Sequence, residues 1–254
     1  MSEQDGSGRV AVVTGAAGGI GGAVVNRLAA QDWRIVAVDL RGEELAKQSA
    51  RWPGRVLDAA ADVRDQSAVS AAVALAEREF GGVDAAVACA AVMAGGAPLW
   101  ETSDADWDAL FDHGVRGTFH LARAAVPALL RRPEPRTGRF VAIASAAGHR
   151  GLWHLAGYNA AKHAVVGLVR GLATDLRGTG VTATAVSPGS TRTAMLTATA
   201  ELYGLADVEE FSQHQLVERL LDPDEVAAAV CWLCGAQSSA ITGTVVHADG
   251  GFTA

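Results

Sequence analysis

The sequence lacks the features of a membrane, secreted or nucleic-acid-binding protein. Its 254 residues contain no run of roughly 18 consecutive apolar residues, so no transmembrane helix is predicted. The first eight residues are polar and acidic and do not resemble a secretory signal, so we expect a cytoplasmic protein. A net charge of −7 without a cluster of basic residues argues against nucleic acid as a partner. These absences predict a small-molecule partner rather than a nucleic acid or a membrane.

Cysteine is also scarce, and the three that occur cannot form a disulfide framework. An odd number of thiols is typical of a reducing compartment. Cys231 and Cys234 form a CxxC pair, but no second pair or nearby histidine completes a zinc site, and the residues between them are apolar. We therefore predict no metal centre and interpret the pair as buried structural thiols.

Short apolar runs rich in β-branched residues alternate with longer segments of helical periodicity. The runs predict strands at 10–13, 34–38, 55–59, 83–88, 140–144, 181–186 and 244–247. The periodic segments predict helices at 20–31, 66–80, 107–130, 157–177 and 224–233. Strands that are apolar on both faces need helices on both sides and crossover connections between them. We therefore predict an α/β fold in which one domain, 1–254, forms a doubly wound parallel sheet, the Rossmann fold.

The segment 191–221 interrupts this alternation. It follows a predicted strand and is rich in large apolar side chains, among them Met195, Leu202 and Phe211. Ligands of doubly wound proteins bind beyond the carboxyl ends of the strands, so we interpret 191–221 as a substrate lid. Plain helical packing or a subunit contact is the alternative.

A glycine-rich turn, TGAAGGIG at 14–21, lies between the first strand and the first helix. Glycines let the backbone approach a pyrophosphate, and the free N–H groups at the start of a helix face its negative charge. A glycine cluster is weak support in a chain rich in Ala and Gly, but its place between strand and helix favours dinucleotide binding. The residues predicted to bind the cofactor here are Gly15, Gly19, Ile20 and Gly21.

Asp39 closes the second strand, 18 residues after Gly21. A carboxylate at this place accepts hydrogen bonds from both hydroxyls of an adenosine ribose and repels a 2′-phosphate. No basic residue occupies the turn at 16–18, so NAD is predicted rather than NADP, although Arg41 lies close in sequence. An ordinary carboxylate at a strand end is the alternative.

Tyr158 and Lys162 lie four residues apart on a predicted helix and project from one face. The ammonium is expected to stabilise the phenolate and to lower the pKa of Tyr158 from about 10, making it a general acid and base. Lys162 is one of only two lysines in the chain, and its place in an apolar helix indicates a function. A surface pair is the alternative reading.

Ser145 ends the fifth predicted strand, 13 residues before Tyr158. Its hydroxyl is placed to hold the oxygen of a substrate. A serine that caps a strand end is the alternative for this residue taken alone.

Together these residues resemble the compact branch of the short-chain dehydrogenase/reductase family. The resemblance spans 10–251 and is carried by TGxxxGIG, Asp39, Asp62-Val63, Ser145, Tyr158-x-x-x-Lys162, Pro188-Gly189 with Thr193, and Asp249-Gly250-Gly251. It implies catalysis by Ser145, Tyr158 and Lys162 with NAD as the cofactor. It further implies cofactor contacts by Asp62 and Val63 at the adenine, by Lys162 at the nicotinamide ribose, by Thr191 and Thr193 at the carboxamide, and by Ala90. A homotetramer follows from the same resemblance.

The finer resemblance is to actinobacterial members associated with the redox peptide cofactor mycofactocin. It is carried by PLWET at 98–102, RRPEPR at 131–136 and PGSTRTAML at 188–196. It implies that NAD is held tightly and recycled in place, with a mycofactocin redox partner.

Two places depart from the family pattern. The chain has Ala88-Cys89-Ala90-Ala91 where the family usually has Asn-Asn-Ala-Gly, so the carboxamide contacts that stabilise this turn are missing. It also has Gly114 where the family's Asn-Val-x-Gly predicts a catalytic asparagine, which helps to hold a water that links the lysine to solvent. Water in the vacated space, or His113 if the helix bulges, is expected to complete the proton relay.

We therefore predict an enzyme that transfers hydride reversibly between NAD and a secondary alcohol or ketone. Met93, Leu152, Trp153 and Leu155, with the apolar lid, favour a hydrophobic and cyclic substrate. A catalytically weak NAD-binding sensor or scaffold is the alternative that Gly114 raises. A serine hydrolase is disfavoured because Ser145 lacks a GxSxG elbow.

Overall fold

The computed structural model describes residues 8–254 and contains a seven-stranded parallel sheet. All seven predicted strands are confirmed, with ends that differ by at most two residues. Their bounds are β1 Val10–Thr14, β2 Arg34–Asp39, β3 Val56–Ala60, β4 Ala85–Ala88, β5 Arg139–Ile143, β6 Thr182–Pro188 and β7 Val245–Ala248. Every residue of β1, β4, β5 and β6 is buried, because helices cover both faces of the sheet.

The helices follow the strands in the predicted alternation. Their bounds are α1 Gly19–Ala30, α2 Gly42–Ser49, α3 Gln66–Phe80, α4 Asp104–Leu110, α5 Gly117–Leu130, α6 Ala156–Asp175, α7 Ala194–Leu202 and α8 Pro223–Cys234. The sequence reading missed α2, which is short and polar and buries only Leu45. Its helical periodicity is too weak to separate it from a loop.

The order of the strands locates the ligand site. It is β3-β2-β1-β4-β5-β6-β7, so the chain first moves outward from β1 and then crosses back to β4. The direction therefore reverses between β1 and β4, which leaves a crevice above the carboxyl ends of these two strands. The predicted doubly wound Rossmann architecture is confirmed.

The predicted helix 107–130 is divided by a π-helical turn, which corrects the sequence reading. The turn covers Phe111–Arg116 and joins α4 to α5. Such turns are rare and occur often at functional sites. The hydroxyl of Thr118 donates to the carbonyl oxygen of Gly114 at 2.7 Å and so satisfies a carbonyl within the turn. The bulge that the sequence reading considered at His113 is present.

Cys231 and Cys234 are buried in α8, as expected. The thiol of Cys231 contacts the carbonyl oxygen of Val24 at 3.8 Å, which places it between α8 and α1. Burial raises the pKa of both thiols, to about 12 for Cys234. No helix among residues 8–254 combines the length and hydropathy needed to cross a bilayer.

Candidate active site

A cleft of about 1310 Å³ opens above the carboxyl ends of the central strands. It brings together every residue that the sequence analysis assigned to catalysis or to the cofactor. These are Gly15, Gly19, Ile20, Gly21, Asp39, Asp62, Val63, Ala90, Ser145, Tyr158, Lys162, Thr191 and Thr193. Residues up to 178 positions apart in the chain therefore share one cavity.

The glycine-rich turn forms a cradle that leaves no room for side chains. Gly15 has a φ of 68°, and a Cβ there would lie 2.7 Å from the amide nitrogen of Ala90. A Cβ at Gly19 would lie 2.6 Å from Cγ2 of Thr193. α1 begins at Gly19 without a side-chain cap, so its first N–H groups face the cleft without a competing acceptor. The turn therefore fits the pyrophosphate of a dinucleotide.

Asp39 lies at the end of β2 and is nearly buried. One carboxylate oxygen accepts from the amide of Ala17 at 3.0 Å, and the other accepts from the amide of Arg41 at 3.0 Å and from its Nε at 3.2 Å. A carboxylate has about four acceptor positions, so it can still accept ribose hydroxyls. The guanidinium of Arg41 lies beside the turn, 3.6 Å from where a Cβ of Gly18 would be.

Asp62 and Val63 follow β3 and also line the cleft. The side chain of Arg64 holds the Asp62 carboxylate through contacts of 2.6 to 3.1 Å, and this pairing lowers the pKa of Asp62. His113 lies close enough to Asp62 to contribute a smaller lowering of that pKa. Its Nδ1 contacts the carbonyl oxygen of Ala109 at 2.8 Å. No contact in residues 8–254 connects His113 to Lys162.

Tyr158 and Lys162 lie on one face of α6 and are both buried. The Nζ of Lys162 is 5.6 Å from the centre of the Tyr158 ring and donates to the carbonyl oxygen of Ile143 at 2.9 Å. Ile143 is the last residue of β5, so the sheet supplies the acceptor that positions the Lys162 side chain. The alternative of a surface pair is excluded by this burial.

Burial changes the protonation of this pair in a way that the sequence did not predict. It raises the pKa of Tyr158 to about 12, and hydrogen bonding with Ser145 opposes the rise only in part. It lowers the pKa of Lys162 to about 8. The expected lowering of the Tyr158 pKa by the ammonium is therefore wrong for this structure, because burial is the largest influence on this pKa and the hydrogen bond with Ser145 is what opposes it.

Ser145 lies two residues beyond the end of β5 and begins a 3₁₀ turn at Ala146–Gly148. Its Oγ accepts from the amide of Ala147 at 3.2 Å, so the side chain caps this turn rather than the end of the strand. The same hydroxyl interacts with Tyr158. The Ser145 side chain thus caps the turn and also interacts with Tyr158.

Part of the segment 191–221 lines the cleft. Its two ends meet in a β-bridge between Thr191 and Leu221, and the amide of Arg192 donates to the carbonyl oxygen of Leu221 at 2.9 Å. Near its middle, the hydroxyl of Tyr203 donates to the carbonyl oxygen of Trp153 at 2.5 Å. The segment therefore closes over the loop that follows Ser145.

This geometry is shared with proteins of known family. A family model described as enoyl-(acyl carrier protein) reductase matches residues 15–253. The chain belongs to the short-chain dehydrogenase/reductase family. The family resemblance seen in the sequence is confirmed, and membership makes the chain a hydride-transferring oxidoreductase of CH–OH groups with a nicotinamide cofactor.

Several short-chain dehydrogenases and reductases are similar over nearly their whole length. The short-chain reductase protein NovJ of Streptomyces niveus is 36% identical over 248 residues, covering 95% of this chain and 93% of NovJ. The 2,5-dichloro-2,5-cyclohexadiene-1,4-diol dehydrogenase of Sphingobium indicum is 36% identical over 250 residues, 98% of each chain. The crystal structure of 3-ketoacyl-(acyl-carrier-protein) reductase from Brucella melitensis with NADH is 28% identical, with a TM-score of 0.90 over 98% of this chain and 99% of that one.

Compared with the short-chain dehydrogenase/reductase pattern, the chain has its main departure at Gly114. Gly114 is buried in the π-helical turn, yet a Cβ placed on it meets no atom within 4 Å. A Cβ at this position therefore has room. Completion of the proton relay by water stays a prediction, and no contact in residues 8–254 supports His113 in that role.

Three residues of this site were not individually assigned a role by the sequence analysis. They are Arg150, Phe252 and, in the segment 191–221, Tyr203. Contacts between distant parts of the chain place them there, and a spacing rule within one helix or strand cannot detect such contacts.

Proposed function

We propose that this short-chain dehydrogenase/reductase transfers hydride reversibly between NAD and a hydrophobic, ring-containing secondary alcohol or ketone. The observation that carries the proposal is the burial of Tyr158 and Lys162 side by side, with Ser145 in the same cleft. An ionisable pair is kept out of water at a cost to stability, and such pairs are characteristic of catalytic sites.

The cofactor residues support NAD. The cradle at Gly15 and Gly19 fits a pyrophosphate, and Asp39 presents its carboxylate where an adenosine ribose would lie. Thr191 and Thr193 line the same cleft, Thr193 beside Gly19, and are the proposed carboxamide contacts. When bound, the nicotinamide supplies or accepts the hydride. A relative crystallised with NADH supports this choice.

The chain's own residues manage the proton of the substrate oxygen. Ser145 holds that oxygen by a hydrogen bond, and Tyr158 gives it a proton in reduction or removes one in oxidation. A Tyr158 pKa of about 12 keeps the phenol protonated near neutral pH, which suits reduction. Oxidation needs the phenolate, which a neighbouring Lys162 ammonium stabilises in a site of low dielectric constant.

The substrate half supports an apolar substrate. Met93, Leu152 and Leu155 line it together with the lid residues Met195 and Phe211. The relative from Sphingobium indicum is named for a cyclic diol, which agrees with a ring-containing substrate. We propose that 191–221 acts as the lid over this substrate.

The test compares the two tyrosines of the chain. Tyr158→Phe keeps the ring and removes the transferable proton, so we expect NAD reduction with a panel of cyclic alcohols to fall by at least 100-fold while NAD still binds by titration. Tyr203→Phe loses only the hydrogen bond to Trp153 and is the matched control, with kcat within about tenfold of the wild type. Near-normal oxidation by Tyr158→Phe would show that the proton transfer occurs elsewhere. NAD binding without turnover by the wild type would favour the sensor or scaffold.

A further inference from the structure

Arg150 is a cation in the substrate half of the cleft that has no carboxylate partner. It lies five residues after Ser145 and lines the same cavity as Tyr158. Two arginines line this cavity, and the other, Arg41, is paired with Asp39. Arg150 forms no ion pair with any residue in 8–254, although most surface arginines of this part of the chain do.

The guanidinium of Arg150 contacts Phe252, near the end of the chain. It donates to the carbonyl oxygen of Phe252 at 2.9 Å and lies 5.6 Å from the centre of the Phe252 ring. Asp249 folds this C-terminal segment by accepting from the amides of Gly251 at 2.9 Å and Thr253 at 3.2 Å. A guanidinium has five N–H donors, and residues 8–254 accept one hydrogen bond from it. Several donors of the guanidinium therefore remain for a ligand.

The side chain of Arg150 is exposed to solvent, so a ligand that enters the cleft can reach it. Apolar side chains also line the cleft, namely Met93, Leu152, Leu155, Met195, Leu196 and Phe211. Glu210 also lines the cleft, but its carboxylate is turned back to the amide of Asp207 at 3.4 Å. His214 lies nearby, with its ring 5.9 Å from that of Phe252.

We propose that Arg150 binds a carboxylate of the substrate. This inference rests on the proposed function and narrows it: the substrate is an apolar ring compound with the reacting alcohol or ketone at one end and a carboxylate at the other. The planar fork of a guanidinium matches the two oxygens of a carboxylate. A single arginine suits a monoanion better than a phosphate dianion, which usually needs more than one cation.

The test measures binding without turnover, so it is independent of the proposed chemistry. 2-Naphthoate and its neutral isostere 2-naphthamide are titrated calorimetrically against the wild type and against Arg150→Met, each with and without NADH. We expect the wild type to bind the carboxylate roughly two- to fivefold more tightly than the amide, the gain typical of one solvent-exposed ion pair. Arg150→Met should lose this preference and bind the amide within twofold of the wild type. Arg150→Lys should keep part of it.

Three controls separate this role from others. Arg51→Met removes an exposed arginine outside the cleft and should change the Kd of neither ligand. Phe252→Leu removes the ring that lies against Arg150, so it should weaken binding of the carboxylate more than binding of the amide. Arg150→Met should leave the Kd of NADH unchanged.

The proposal is overturned by three results. One is equal binding of the two ligands by the wild type, or no saturable binding of the carboxylate. The second is an equal loss of both ligands in Arg150→Met, which would make Arg150 a support for the C-terminal segment only. The third is weaker NADH binding by Arg150→Met, which would indicate that Arg150 binds an anionic group of the cofactor and not of the substrate. A failure of the proposed function would appear elsewhere, as NADH that does not bind the wild type or alcohols that are not oxidised.

Discussion

The carboxylate of Asp39 accepts a hydrogen bond at 3.0 Å from the amide of Ala17, 22 residues earlier in the chain. The contact ties the end of β2 to the glycine-rich turn after β1. The same carboxylate also holds the Arg41 side chain through its Nε at 3.2 Å. Asp39 therefore shapes the turn, faces the proposed ribose site and restrains the nearest cation.

Asp39→Ala should shift the preference of the enzyme from NAD toward NADP. Loss of the Asp39 carboxylate removes the acceptor for the ribose hydroxyls and the repulsion of a 2′-phosphate. It also frees Arg41 to bind that phosphate. We expect the ratio of the Kd values for NAD and NADP to rise by roughly 10- to 100-fold. Asp58→Ala, an exposed carboxylate in β3, is the matched control. In Asp39→Ala/Arg41→Ala the gain in NADP affinity should disappear. An unchanged ratio in Asp39→Ala would contradict the assignment of NAD.

Lys162→Met should change how the stability of the protein depends on pH. Burial lowers the pKa of Lys162 to about 8 from an ordinary value of 10.5. Between these values the unfolded chain binds more protons, so the contribution of Lys162 to stability rises from pH 8 to pH 10.5 and is lost as pH falls through this window. The full difference is on the order of 3 kcal/mol. The methionine fills the same volume without a charge.

The measurement is urea unfolding of the wild type and Lys162→Met at intervals from pH 7 to pH 10.5. The stability of the variant relative to the wild type should be greatest at or below pH 8 and should decline above it. Lys47→Met, an exposed lysine in α2, is the control and should track the wild type. Parallel curves for wild type and Lys162→Met would show that Lys162 is not desolvated in the folded protein.

Gly114→Asn should be tolerated, because a Cβ at this position meets no atom within 4 Å. Replacing glycine in a helix should raise the free energy of unfolding by a few tenths of a kcal/mol. If water completes the proton relay, the restored side chain should raise the rate of oxidation or leave it unchanged. Melting without cofactor reads the first effect, and the solvent isotope effect on single-turnover oxidation reads the second.

Gly117→Asn is the matched control for this substitution. A Cβ at Gly117 would lie 2.9 Å from Cγ2 of Val63, so the variant should lose roughly 1 to 3 kcal/mol of stability and bind NAD less tightly. A Gly114→Asn protein that unfolds as easily as Gly117→Asn would show that the open space is absent.

The homotetramer stays a prediction, and exposed aromatic side chains indicate where to test it. Trp107 in α4 and Phe119 in α5 are 39% and 47% exposed, which is high for large apolar groups. Light scattering at micromolar concentration should give a mass near four times 26.1 kDa. Phe119→Asp should lower it and Phe119→Tyr should not. A monomeric wild type would refute the prediction.

A mycofactocin partner and a cytoplasmic location likewise stay predictions. They depend on sequence resemblance and on the composition of the chain, and no contact within residues 8–254 bears on them.

Local patterns in the sequence determined the order of elements and most of the site. Strands, helices, the glycine-rich turn and the Tyr158–Lys162 spacing depend on neighbours a few residues away, so periodicity and turn chemistry reveal them. Asp39 at the end of β2 was predictable for the same reason. The substrate could not be predicted in the same detail, because the contacts of the segment 191–221 follow no comparable spacing rule.

The tertiary structure decided the environment of these residues. Solvent exclusion by α6 and the sheet reverses the expected pKa of Tyr158, and the amount of water excluded is a property of the whole packed site. Arg150 and Phe252 are 102 residues apart and meet only because β5 and β7 lie in one sheet. The room for a Cβ at Gly114 likewise depends on how the π-helical turn packs against α6. Sequence spacing therefore identified which groups are present, whereas long-range packing set their charge, their partners and the room around them.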